Sequence, residues 1–136
     1  MAGLTNVFFP GWIERDKIEA LAIRSSAALA PYHNSEDFVM SIPNKVIDAL
    51  ALGLPVLSPL RGEVGSLISD SEIGMSYGPS TGKSLSQCIE DLATKPGLRD
   101  RLSVNALHLF ETRFSFDRVY GGLVKHIEML ACRRSQ

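Results

Sequence analysis

The sequence has little charge of one sign and no long hydrophobic run. Its formal net charge is −1, and no cluster of Lys or Arg is present that would follow a nucleic-acid backbone or an anionic membrane surface. The longest apolar run, residues 49–57, is about half as long as a bilayer-crossing helix and is interrupted by Gly53 and Pro55. We therefore expect no nucleic-acid partner and no transmembrane segment.

Cysteine and histidine are scarce as well. Cys88 and Cys132 both fall in helix-like apolar patterns, where a small buried thiol is expected rather than a disulfide. His33, His108 and His126 have no partner at a spacing typical of metal ligands, so we expect no bound metal. The first six residues contain neither a basic region nor a long apolar core. This predicts no signal peptide and a cytoplasmic chain.

Two phosphate-binding patterns are also absent. No Gly-x-Gly-x-x-Gly sequence, typical of dinucleotide-binding folds, follows a predicted strand. Residues 78–84 are similar to a P-loop, but three residues separate Gly78 from Gly82, one fewer than that loop requires. We therefore interpret residues 78–84 as a loop that leads into a helix.

The chain reads as one domain over residues 1–136, in which short apolar runs alternate with segments of helical periodicity. Strands are predicted at residues 6–9, 27–31, 55–58 and 73–77. Helices are predicted at residues 14–25, 43–52, 84–94, 97–110 and 116–131, with a short helical turn that ends at Ile68. This alternation predicts a Rossmann-like α/β fold, with a parallel sheet of about four strands and helices on both faces.

Ligands of such open parallel sheets bind outside the carboxyl ends of the strands. The loops expected at that edge are residues 32–41, 59–63 and 77–82. His33 lies in the first loop, where a solvated histidine is the more ordinary interpretation than a ligand contact. The helix predicted from Pro43 follows the same loop, so its free amide groups and its dipole suit an anion such as a diphosphate.

This helix has a polar stripe. At about 100° per residue, Asn44, Lys45 and Asp48 lie on one side, and the other side has Val46, Ile47 and Leu50. The Asp48 carboxylate can accept hydrogen bonds from two ribose hydroxyls, and Lys45, which opposes the helix dipole, would gain from a phosphate partner. An ordinary amphipathic helix with a solvated polar face has the same pattern, and spacing alone does not separate these interpretations.

Several motifs together resemble those of a known family. They are Asn6-Val7-Phe8-Phe9-Pro10-Gly11, Pro31 with Ser35-Glu36, Pro43-Asn44-Lys45 with Asp48, Ala51-Leu52-Gly53-Leu54-Pro55-Val56, Gly62-Glu63, and Phe114-Ser115. Similar patterns, including Pro-x-Lys-x-x-Glu and Ala-x-Gly-x-Pro-Val, occur in the group 1 (family 4) glycosyltransferases. The chain thus resembles the C-terminal, donor-binding domain of these enzymes of the GT-B fold.

The resemblance implies a function and roles for individual residues. It implies transfer of a sugar from a nucleotide-diphosphate sugar to a glycan or lipid-linked acceptor, without a required metal or other cofactor. Asp48 lies where the family usually has the Glu that binds the ribose hydroxyls. Glu36 matches the carboxylate near the donor sugar and is the catalytic candidate, although the spacing to Asp48 is longer than in the usual motif; a solvated loop carboxylate is the alternative. The other candidates for donor binding are Ser41, Asn44, Lys45, Arg61 and Gly62.

The family pattern also has parts that this chain does not show. Complete members have an N-terminal domain that binds the acceptor, and the C-terminal domain begins with two strands that would precede Asn6. We therefore expect the isolated chain to be inactive, and a partner chain that supplies the N-terminal domain is one prediction. Open strand edges predict that residues 7–9 pair with residues 27–31, or that two chains exchange elements in a homodimer. A non-catalytic remnant or interaction module that retains the fold is the alternative function.

Overall fold

The computed structural model describes residues 5–134, and a three-stranded parallel sheet lies at their centre. The strands are β1 (Ala28–Leu29), β2 (Val56–Ser58) and β3 (Gly74–Ser76), and they are adjacent in chain order. Ala28 pairs with Val56, and Leu57 pairs with both Leu29 and Met75. All three residues of β2 are buried, as expected for the central strand of a parallel sheet.

Helices form most of the remaining described chain. They are α1 (Arg15–Ile23), α2 (Glu36–Val39), α3 (Asn44–Ala51), α4 (Gly62–Ser71), α5 (Leu85–Thr94), α6 (Leu98–Leu109) and α7 (Phe116–Arg134), with a π-helical segment at Phe110–Phe114. The connection from β1 to β2 contains α2 and α3, and that from β2 to β3 contains α4. This confirms the predicted Rossmann-like α/β fold, although the described sheet has three strands.

The main core lies between the sheet and helices α3, α4 and α6. Val46 and Leu50 of α3, Val64 of α4 and Ala106 of α6 are fully buried and belong to one apolar cluster with Val56 of β2. Successive side chains of a strand point to opposite faces, so the neighbouring Leu57 faces away from this cluster and is buried too. The central strand is therefore covered on both faces.

The N-terminal segment differs from the prediction. Residues 6–9 form no strand, and the side chains of Phe8 and Phe9 are 85% and 87% exposed. The predicted pairing of residues 7–9 with residues 27–31 is therefore wrong, and the outer side of β1 has no partner strand within residues 5–134. An apolar, β-prone segment becomes a strand only where another strand supplies backbone hydrogen bonds, and within residues 5–134 no such partner reaches residues 6–9.

Most predicted helices are confirmed within a few residues, but three details differ. The loop predicted at residues 32–41 contains the short helix α2, preceded by Ser35. The helix predicted at residues 97–110 continues past Leu109 as the π-helical segment. Cys88 is buried as predicted, whereas Cys132 is exposed on α7.

Two expectations concern membranes and targeting. Within residues 5–134, no helix combines the length and the apolar character needed to cross a membrane. The expectation of no signal peptide rests on residues 1–6, of which residues 1–4 lie outside the described part of the chain.

Candidate functional site

The predicted site residues lie at the carboxyl edge of the sheet, on the two segments that follow β1 and β2. Glu36 and Ser41 precede α3 in the first segment, and Arg61 and Gly62 follow β2 in the second, at the start of α4. Because the strands are parallel, their carboxyl ends meet at one edge. Helices α3 and α4 begin at this edge, so both N-termini face the space outside it, which we call the crevice.

Helix α3 buries one face and exposes the other. Val46 and Leu50 have no accessible surface, whereas Asn44, Lys45 and Asp48 are exposed. The polar stripe predicted from the spacing is therefore present on the solvent side of the helix. Asp48 lies in the same helix that begins at the carboxyl edge, about 6 Å along the axis from Asn44.

The N-terminus of α3 offers free amide groups. The carbonyl oxygen of Pro43 accepts a hydrogen bond from the amide of Val46 at 2.8 Å. No side chain caps this end, and the amides of Asn44 and Lys45 have no acceptor within residues 5–134. The first amides of a helix carry a partial positive charge, so an anion placed here would be stabilised.

The N-terminus of α4 is built around Gly62. This residue has a φ of +65°, and a Cβ atom at its position would lie 2.1 Å from the carbonyl oxygen of Val39, at the end of α2. Glycine is therefore needed for the close approach of α2, a role that the sequence did not indicate. Arg61 precedes the helix, and the amides of Gly62 and Glu63 have no acceptor in the described chain.

Asn34 connects the two segments and was not predicted as a site residue. Its Nδ2 donates to the carbonyl oxygen of Pro59 at 2.9 Å, and its Oδ1 accepts from the amide of Arg61 at 2.7 Å. The partners are 25 and 27 residues away along the chain. No local sequence signal distinguishes such a residue from an ordinary loop asparagine.

Ser58 makes a second connection, inside the core. Its buried hydroxyl donates to the carbonyl oxygen of Ala30 at 2.9 Å and accepts from the amide of Leu60 at 3.2 Å. These bonds satisfy the carbonyl oxygen of Ala30, just after β1, and the amide of Leu60, just after β2. The segments after β1 and β2 are thus joined at Ser58, at Asn34 and at Gly62.

Four of the charged side chains near this edge were predicted as site residues, and Asp37 and Glu63 add two further exposed carboxylates there. Glu36, Lys45, Asp48 and Arg61 are exposed, and none of them forms an ion pair or a side-chain hydrogen bond within residues 5–134. Two cations can bind phosphate oxygens, and two carboxylates can accept hydrogen bonds from hydroxyl groups. The edge therefore offers cations for an anionic group and carboxylates for hydroxyl groups.

Ser41 is already engaged. It lies in the turn between α2 and α3, and its hydroxyl donates to the carbonyl oxygen of Asp37 at 2.5 Å. A hydroxyl has one hydrogen to donate, so Ser41 can offer only its lone pairs to a ligand while this bond holds. A contact with the donor in which the Ser41 hydroxyl donates would require that this bond break.

The third loop of this edge is held by its own contacts. Gly78 and Lys83 form an antiparallel bridge, and the Lys83 ammonium pairs with Asp91 of α5. The hydrogen bond from Lys83 lowers the pKa of the Asp91 carboxyl and raises the pKa of Lys83. Lys83 therefore stabilises the protein structure here, in agreement with the interpretation of residues 78–84 as a loop that leads into a helix.

An open depression at the amino edge of the sheet and a metal centre are the alternatives to this site. The depression is lined by residues including Ser26, Pro55 and Arg99, and it contains no carboxylate. Arg99 is paired with Asp100, so this depression lacks a free charge for a phosphate. Within the described part of the chain, no three His, Cys, Asp or Glu side chains are grouped so that they could hold a metal ion.

Comparison with known proteins identifies the family. The sequence matches the family described as glycosyl transferases, group 1, over residues 1–95, well over half of the chain. This range contains β1 to β3, the N-termini of α3 and α4, and all candidate site residues. No curated protein and no solved structure matches the chain. The chain belongs to the group 1 glycosyltransferases.

Proposed function

We propose that this chain is a donor-binding domain and that it binds a nucleoside-diphosphate sugar at the carboxyl edge of its sheet. Family membership supports a glycosyltransferase function. The observation that carries the proposal is the position of Lys45, Asp48 and Arg61 beside two uncapped helix N-termini. Cations and amides suit the diphosphate, and a carboxylate suits the hydroxyls of the nucleoside.

In this proposal the diphosphate lies between the N-termini of α3 and α4. Lys45 and Arg61 bind its oxygens, together with the free amides of Asn44 and Gly62. Asp48, one turn further along α3, accepts hydrogen bonds from the two ribose hydroxyls. The separation of about 6 Å along the helix suits the distance between a phosphate and the far side of its ribose.

Glu36 faces the sugar end of the donor in this proposal. Glu36 is exposed and is the first residue of α2, the helix whose Val39 lies against Gly62. Its side chain has no hydrogen-bond or ion-pair partner within residues 5–134. During transfer the oxygen of an acceptor hydroxyl forms a bond to the anomeric carbon and its proton is released to solvent. The bond between that carbon and the diphosphate breaks, and negative charge grows on the leaving phosphate. Lys45, Arg61 and the helix N-termini would stabilise that charge, so the proposal includes no metal and no other cofactor. The acceptor would be a glycan or a lipid-linked glycan.

The proposal is tested by replacing Asp48 with Ala and measuring nucleotide binding by calorimetry. We expect the wild-type chain to bind uridine or guanosine diphosphate, and Asp48→Ala to weaken binding by about 1–3 kcal/mol through the loss of charge-assisted hydrogen bonds. Asp70→Ala is the matched control, because Asp70 is an exposed carboxylate near the C-terminal end of α4, away from the crevice. If the wild-type chain binds no nucleotide at millimolar ligand, the chain is better described as a non-catalytic interaction module.

A second proposal concerns a partner chain. Helix α7 exposes a stripe of apolar side chains at helical spacing, which consists of Phe116, Tyr120, Leu123, Ile127 and Leu130. Such a stripe is typical of a helix that packs against another surface. We propose that a second chain covers it, either another copy or a chain that supplies the acceptor-binding domain of a split enzyme. Light scattering across a concentration series, which should show self-association for the first case, distinguishes the two.

A further inference from the structure

Asn34 is the exposed connection between the two segments that form the crevice. Its side-chain amide uses both of its functions at once: the nitrogen donates to Pro59, and the oxygen accepts from the amide of Arg61. A carboxylate at this position would keep only the second bond, and an alanine would keep neither. The two bonds fix the peptide that leads into α4.

The other two connections differ from Asn34 in their surroundings. Ser58 is buried, and Gly62 packs closely against the backbone of Val39. Changes at these two positions would disturb the core or the packing of α2. Asn34 is exposed, and its side-chain hydrogen bonds are made to loop residues, so its replacement should leave the core packing unchanged.

We propose that Asn34 is a positioning residue for the donor diphosphate, an inference that rests on the proposed donor binding. It holds the peptide of Arg61 so that the Arg61 side chain and the first amides of α4 point toward the anion at the N-terminus of α3. Without these bonds the loop after β2 has more conformations, and binding must restrict them. Affinity then falls although no group that touches the ligand has been removed.

The proposal predicts a loss that is selective for the phosphate-bearing ligand. In Asn34→Ala, the affinity for uridine or guanosine diphosphate should fall about tenfold, which corresponds to the net contribution of one or two hydrogen bonds. The affinity for the matching nucleoside without phosphates, which is bound through Asp48, should change less than about twofold. Asn34→Asp keeps the bond from the Arg61 amide but adds a negative charge near the anion, so it should also bind the diphosphate more weakly than the wild-type chain does.

The matched control is Asn105→Ala. Asn105 also donates from Nδ2 to a backbone oxygen, that of Glu72 at 3.1 Å, but at the end of α4 away from the crevice. Calorimetry with the diphosphate and the nucleoside, together with thermal unfolding, is carried out on all four proteins. Similar unfolding midpoints for Asn34→Ala and Asn105→Ala, with a loss of diphosphate affinity only in the first, support the inference.

Each of the other outcomes contradicts either the positioning role of Asn34 or the proposed donor binding. If the wild-type chain binds the diphosphate and Asn34→Ala binds it equally well, the positioning role is wrong and the donor proposal stands. Equal losses for nucleoside and diphosphate also overturn the positioning role. If Asn34→Ala does not fold, Asn34 is a structural residue, and the inference is overturned. If the wild-type chain binds neither ligand, the proposed function itself fails.

Discussion

Replacement of Gly62 by Ala should be far more damaging than replacement of Gly82, although both glycines have a φ of +65°. A left-handed backbone costs a non-glycine residue about 1–2 kcal/mol, and both variants bear this cost. At Gly82 a Cβ atom meets nothing within 4 Å, whereas at Gly62 it would lie 2.1 Å from the carbonyl oxygen of Val39. Helix α2 must move to relieve that overlap, which adds about 1–3 kcal/mol, as for other overpacked sites.

Urea denaturation of both variants measures this difference directly. With a typical slope of about 1–3 kcal/mol per molar for a small domain, Gly62→Ala should lower the unfolding midpoint by about 1 M more than Gly82→Ala. The slope should stay the same in both variants, because the surface exposed on unfolding does not change. Equal midpoints would refute the reasoning, since they would mean that α2 moves away from α4 without a cost in free energy.

Two further predictions concern the hydrogen bonds and charges described above. Ser58→Ala should lower the free energy of unfolding, measured by urea denaturation, by about 1–3 kcal/mol, because the buried amide of Leu60 loses its acceptor. As a control, Ser69→Ala removes an exposed hydroxyl and should change this free energy by less than about 0.5 kcal/mol. The lowered pKa of Asp91, caused chiefly by the hydrogen bond from Lys83, means that this ion pair stabilises the fold above the ordinary carboxyl pKa of about 4 and is lost as the pH falls through the lower folded value. Thermal unfolding at neutral pH and below about pH 3 should therefore show a smaller acid-induced loss of stability in Asp91→Asn than in the wild-type chain, and equal losses would contradict the prediction.

Local sequence signals predicted those elements of the fold that depend on local pattern. The apolar run that contains Val56 and Leu57 became the central strand, and the helical spacing of Val46 and Leu50 placed α3 correctly. The prediction at residues 6–9 was wrong because strand formation depends on a partner that local pattern does not specify. The helix α2 was missed because a four-residue helix has too little periodicity, although Ser35 and the two acidic residues after it are typical of a helix start.

Local sequence pattern also predicted only part of the candidate site. Asn44, Lys45 and Asp48 could be placed on the exposed side of α3 because helical geometry relates them directly. Asn34 could not be found, because its importance depends on backbone groups 25 and 27 residues away. The sequence predicts that Gly62 contacts a ligand, but in the structure Gly62 lies close to Val39. This contact depends on the packing of α2, which local pattern does not specify.

The three connections at Ser58, Asn34 and Gly62 make one wall of the crevice a single unit, since displacement of either loop would carry the other with it. Helix α3, which begins at the same edge of the sheet, contributes long exposed side chains such as Lys45. Adaptation to donors of different size should therefore come from side-chain rotation on the α3 side. A change of donor preference would then be sought by substitution on α3 rather than in the joined loops.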